Sequence, residues 1–160
     1  DPDLYLATAD AQSAMWKATG ADGPAAAMWS TQPNVFVYRF DWDEEPSLLG
    51  IDLGTYLGAA HGFEIPFVFG HWDLGRQGSV IFNDANRPGR EALAEPMMSY
   101  WANFAWTGDP GRGRAGELPA WSAWDGRPGA HKYMILDTQV GGGSRMGSEP
   151  VTRESVIASV

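Results

Sequence analysis

Gly58-Ala59-Ala60-His61-Gly62-Phe63-Glu64-Ile65-Pro66-Phe67-Val68-Phe69-Gly70 sets one histidine among small residues and follows it with an almost wholly apolar run that closes on glycine. Small neighbours let backbone and ligand come close to an imidazole, and the bulky run behind can anchor the segment in a core. Imidazole is the side chain that exchanges a proton near neutral pH, so His61 is a candidate general base. A lone histidine in a glycine-rich loop is also a common structural or surface residue, and geometry must separate the two readings.

Upstream, Val35-Phe36-Val37-Tyr38-Arg39-Phe40 is β-branched and aromatic, bounded by Pro33-Asn34 on one side and by Asp41-Trp42-Asp43-Glu44-Glu45-Pro46 on the other. That composition predicts a strand, and the lack of polar alternation predicts one covered on both faces. Ligands of open α/β sheets sit beyond the carboxyl ends of the strands, which suits a reactive segment following this one. Ser47 to Leu57 reads as a loop delivering the chain to His61.

Before the strand, Leu4, Ala7, Ala11 and Met15 recur at helical spacing up to about Thr19. Gly20-Ala21-Asp22-Gly23-Pro24 is expected to stop that helix, with Pro24 opening a second, alanine-rich one. After Gly70 the stretch to Pro88 shows no clear element. From about Glu91 to Trp106, Leu93, Met97, Trp101 and Phe104 share a helical face, and Thr107-Gly108-Asp109-Pro110 ends it. Pro96 means that this helix either begins near Glu95 or kinks there. Lys132-Tyr133-Met134-Ile135-Leu136-Asp137 reads as a short strand at a sheet edge, and residues 138–160 as a loosely held tail.

With 160 residues, 44% of them hydrophobic, the chain has material for one domain or part of one. A formal charge of −9 argues against a nucleic-acid partner, and Arg87, Arg90, Arg112 and Arg114 read as solvated loop charge. The absence of cysteine excludes disulfides and a thiolate nucleophile without deciding between cytoplasm and a secreted or periplasmic location. No apolar run is long enough to predict a membrane span, and the first residues are unlike a signal peptide.

Four stretches carry a family resemblance, in the family's own order. Tyr38-Arg39-Phe40-Asp41, Ala60 to Gly70, Tyr100 to Pro110 and Met134-Ile135-Leu136-Asp137 resemble the Tyr-x-Phe-Asp strand, histidine loop, helix end and closing Met-x-Leu-Asp strand of the type B carboxylesterase and cholinesterase family. The resemblance implies an α/β fold, the C-terminal part of an α/β-hydrolase with a partial sheet and packing helices, residues 1–160 forming the C-terminal segment of one domain. It implies a Ser-His-Glu/Asp triad that hydrolyses small-molecule carboxylic esters without metal or organic cofactor, with His61 as the triad histidine. Glu64 would then be a buried carboxylate near the active site, against the plainer reading of a solvated glutamate. Taken with His61 and His71 it has no tight metal-ligand spacing.

The sequence departs from the family in one consequential respect, since no Gly-x-Ser-x-Gly and no glycine-rich oxyanion motif occurs in it. The nucleophile and acid are expected upstream, and the chain alone is expected to be inactive and to dimerise or domain-swap through an exposed sheet edge. Two rivals remain open. Some cholinesterase-like proteins keep the fold and act in adhesion. The eight tryptophans also admit a carbohydrate-binding module.

Overall fold

The computed structural model describes residues 1–159. In chain order these form α1 (Pro2–Lys17), a π-helical turn (Ala18–Asp22), α2 (Gly23–Met28), β1 (Tyr38–Phe40), β2 (Ser47–Leu48), β3 (Ile51–Asp52) and α3 (Leu53–Tyr56). There follow α4 (Glu64–Phe69), α5 (Gly75–Ile81), α6 (Arg87–Thr107), β4 (Tyr133–Leu136), β5 (Arg145–Gly147) and α7 (Arg153–Ser159). One sheet has the order β1-β4-β5, and β2 with β3 makes a separate antiparallel hairpin. Tyr38 lies opposite Met134 and Phe40 opposite Leu136 in a parallel pair, which requires a long crossover, here a helical one. The architecture is therefore α/β. Among the described residues no helix is long and apolar enough to cross a membrane.

Chain contacts divide the protein into two compact units, of which one comprises Tyr38–Trp121 and Met134–Arg145. Its core is aromatic. Trp42, fully buried, has ring centroids 5.3 Å from Phe67 and 5.4 Å from Phe82, and Phe67 lies 4.9 Å edge-on to Trp72. A second cluster joins Tyr38, Tyr100, Trp101 and Trp121. In it the Tyr100 hydroxyl donates to Pro119 O at 2.6 Å, and burial pushes that phenol up to about 12. Most indoles of this unit thus serve the core, although Trp106 stays 81% exposed.

The helix expected around Glu91–Trp106 starts earlier, at Arg87, with Pro88 in its first turn, and runs through Pro96 to a left-handed Gly108. Burial of Leu93, Ala94, Met97 and Tyr100 on both sides of Pro96 outweighs the roughly 3 kcal/mol that an interior proline costs. The buried stripe also begins one turn earlier than the spacing predicted and ends at Tyr100, leaving Phe104 exposed. Arg90, expected to be a solvated loop charge, is the polar member of that stripe. Its guanidinium stacks 4.9 Å over Trp72 and donates to Asn86 Oδ1 at 2.5 Å and to Asn83 O. Stacked and hydrogen-bonded, an arginine tolerates burial that a lysine would not.

Two strand expectations are reversed. β1 is shorter than the apolar run and lies at the end of the sheet order, with Tyr38 and Arg39 exposed. At its C-terminal end the pairing stops where β4 stops, with Phe40 opposite Leu136. β4, expected at an edge, lies between β1 and β5 with every residue buried. In β4 the apolar run without alternation is that of a strand covered on both faces, short as it is.

The second unit comprises Asp1–Val37, Ser122–Tyr133 and Met146 onward. The expected stop at Gly20–Pro24 does not occur, because the π turn carries α1 directly into α2. Gly23 is needed there, since a Cβ would stand 2.8 Å from Ala18 O. Buried Asp22 accepts from Lys17 Nζ and from Val151 N at 2.6 Å. Tyr133 likewise donates to Glu149 O at 3.2 Å, and Val156 of α7 is buried. The segment that showed no pattern in sequence is held by these atoms, several of them backbone, which leave no trace in composition.

The acidic stretch after β1 makes stability depend on pH. Glu45 is 5% exposed, and burial, with Asp43, Glu44 and Asp52 adding negative charge, pushes its carboxyl from 4.5 to about 7. The folded chain therefore holds this proton more tightly than the unfolded one. The resulting stability loss is absent below about pH 4.5, grows as the pH climbs to about 7 and is complete above that, at roughly 3 kcal/mol. Glu45→Gln is expected to abolish this slope: urea midpoints of variant and parent should coincide at pH 4 and separate in the variant's favour at pH 8. Equal midpoints at both pH values would refute it.

Candidate active site

The segment containing His61 is built from two glycines and a helix. Phe63 N donates to Ala60 O at 3.0 Å, closing a four-residue turn in which His61 and Gly62 are the central pair. Gly62 has φ 88°, the left-handed value that a type II turn demands at this position and that any L side chain resists. His61 is thereby set at the crest of a tight turn, and its side chain is exposed.

Behind the turn the apolar run, legible only as an anchor in sequence, is the short helix α4. Pro66 is accommodated because it falls in the first turn, where an N–H has no intrahelical partner. Phe67 faces inward, fully buried against Phe40, Trp42 and Trp72, and α4 packs on α6. Gly70 ends the helix with φ 61°. The histidine thus projects from a turn whose far end is nailed into the aromatic core.

Glu64, the first residue of α4, is half-buried, between the two readings open in sequence. Its Oε1 lies 3.5 Å from the Tyr38 hydroxyl of β1. Burial, and then the negative charge and hydrogen bonding of Glu64, raise the Tyr38 phenol above its usual range, so it remains a donor. Sequence reasoning placed both residues in motifs and missed their encounter, because nothing local links a strand residue to a helix start. Among the described residues no group of three or more His, Cys, Asp or Glu is placed to hold a metal ion, His61, Glu64 and His71 included.

Beside the turn runs an apolar groove of about 470 Å³, whose walls include Leu48, Leu53, Leu57, Phe63, Ile81 and Phe82. Phe63 belongs both to the turn and to the groove. It was not legible in sequence, since β2, α3 and α5, which supply part of the wall, fall in stretches read as irregular.

Comparison with known proteins adds the following. A family model described as Carboxylesterase family matches residues 12–153. Carboxylesterase 5A of Canis lupus familiaris is 31% identical over 130 residues, covering 81% of this chain and 21% of the relative. The cocaine esterase of Homo sapiens is 35% identical over 104 residues, covering 64% of this chain and 16% of that protein. Among solved structures, carboxylesterase EST55 of Geobacillus stearothermophilus is similar at 30% identity, with a TM-score of 0.48 over 76% of this chain and 21% of that one. The chain spans about a fifth of the length of the first of these relatives.

Proposed function

Because the chain belongs to the carboxylesterase family, we propose that it is the C-terminal part of a carboxylic ester hydrolase and supplies the general base, His61, of a Ser-His-Glu/Asp triad. The serine and the acid come from elsewhere in the parent protein, as does the oxyanion hole. His61 takes the serine hydroxyl proton as the oxygen attacks the ester carbonyl, then returns it to the departing alkoxide to release the alcohol. In the second half it takes a proton from water, whose oxygen attacks the acyl-enzyme, and gives that proton back to the serine as the carboxylic acid leaves.

The observation that carries this reading is the presentation of His61. A turn that only glycine permits lifts the imidazole into the open, while Phe67, six residues on, fixes the segment. A base that must reach a proton on a group from another part of the protein needs both accessibility and a firm foundation. β1 ends the sheet order, which leaves an edge on which a further strand of the parent sheet can pair. The groove shared by Phe63 and Leu57 suits an uncharged, apolar portion of the ester.

The test uses the full-length protein and the 160-residue chain in parallel. Full-length protein is expected to hydrolyse p-nitrophenyl butyrate and to be labelled by a fluorophosphonate on a serine outside this chain, while the chain alone does neither. Turnover by the chain alone that disappears in His61→Ala would overturn the division of the triad. A full-length protein that is neither labelled nor active would favour the adhesion reading instead.

A further inference from the structure

The geometry points to Tyr38 as a positioning residue for His61, acting through Glu64. The inference rests on the reading of His61 as the base and adds a residue to it. Tyr38 is fixed at three levels. Its backbone is registered against Met134 in the parallel pair. Its ring meets Trp101 edge-on at 5.1 Å and 70° and Trp121 at 6.3 Å and 76°, so one helix and one loop define where the ring can lie. Its hydroxyl then reaches Glu64 Oε1 at 3.5 Å.

Glu64 is well chosen as the other end of this tie. It opens α4 and follows His61 by three residues, directly after the turn closed by Phe63 N and Ala60 O. Phe63 already touches the rings of Trp42 and Phe82, and full burial of the segment begins at Pro66 and Phe67. At Gly62, on the crest of the turn, an added Cβ would meet nothing within 4 Å. Between the crest of the turn and the core, the Tyr38–Glu64 contact joins the histidine segment to the sheet by a hydrogen bond to a charged acceptor. The phenol stays protonated because its ionisation is opposed first by burial and then by the neighbouring carboxylate. Tyr38 touches no reacting atom and acts by limiting how far the imidazole wanders from the proton it must take.

The experiment compares Tyr38→Phe, Glu64→Leu, the double variant and His61→Ala in the full-length protein with p-nitrophenyl butyrate. Tyr38→Phe removes one hydroxyl and leaves the ring between its two indoles. It is expected to lower kcat roughly 5- to 30-fold, with KM within about twofold and the melting temperature within about 2 °C. The double variant should be no slower than Glu64→Leu alone, because either change already breaks the tie: phenylalanine has no hydroxyl to donate and leucine no oxygen to accept. Wild-type kcat in Tyr38→Phe, a loss that merely tracks melting temperature, or additive effects in the double variant would each overturn the proposal. Full activity in His61→Ala would refute the base itself, and the positioning role with it. A dead His61→Ala beside a normal Tyr38→Phe would refute the positioning role alone.

Discussion

Replacing His61 with alanine in the full-length protein is expected to lower kcat for p-nitrophenyl butyrate by roughly 10⁴- to 10⁶-fold. The effect is large because a triad works as a unit: without the imidazole the serine keeps its proton, and what remains comes from binding and the oxyanion hole alone. The same substitution should leave the fold almost untouched. His61 is exposed on a turn whose shape is dictated by Gly62, so a change of about 0.5 kcal/mol or less is expected in urea unfolding. Activity and stability are therefore predicted to part company, which separates a catalytic histidine from a structural one. Residual activity within tenfold of wild type would remove His61 from the mechanism. Collapse of the fold in His61→Ala would assign it to the architecture instead.

The opposite profile is expected for Trp42→Ala. Trp42 is fully buried, two residues beyond β1, and its ring meets Phe63, Phe67 and Phe82. Removing it takes away the transfer free energy of the indole and leaves a cavity that three other rings cannot all collapse into, at a cost of about 3–5 kcal/mol. For a domain whose total stability is about 5–15 kcal/mol, that is a lowering of the melting temperature by many degrees, readable by calorimetry. Trp42→Phe should cost much less. It keeps most of the ring contact and removes an indole N–H that is buried without a hydrogen-bond partner. Because Phe63 closes the histidine turn and Phe67 anchors it, the alanine variant should also slow catalysis in whatever fraction remains folded. An alanine variant as stable as the parent would show that this aromatic cluster is not the core of its unit.

These two residues also show how far a linear reading reaches. Phe67 was legible as an anchor, and Gly62 as the residue that brings backbone close to an imidazole, because both lie in the same short stretch as His61. Gly108 as a helix end is equally local. Arg90 was misread because its neighbours in sequence, Pro88 and Gly89, suggest a loop, whereas its neighbour in space is Trp72. β4 was misplaced for the same reason, since no feature of Tyr133–Leu136 names the strands on its two sides.

Caps, turns and apolar periodicity act over a few residues, so the sequence by itself marked the glycine-flanked histidine segment with its apolar anchor and helices α1, α2 and α6, while the α/β class was legible through the family resemblance. Which strand is central, how Glu45 comes to be buried, and the meeting of Tyr38 with Glu64 were decided only by tertiary structure. Each of these depends on groups from separate parts of the chain removing one another from water, and burial of that kind is a property of the packed assembly rather than of any window along the sequence.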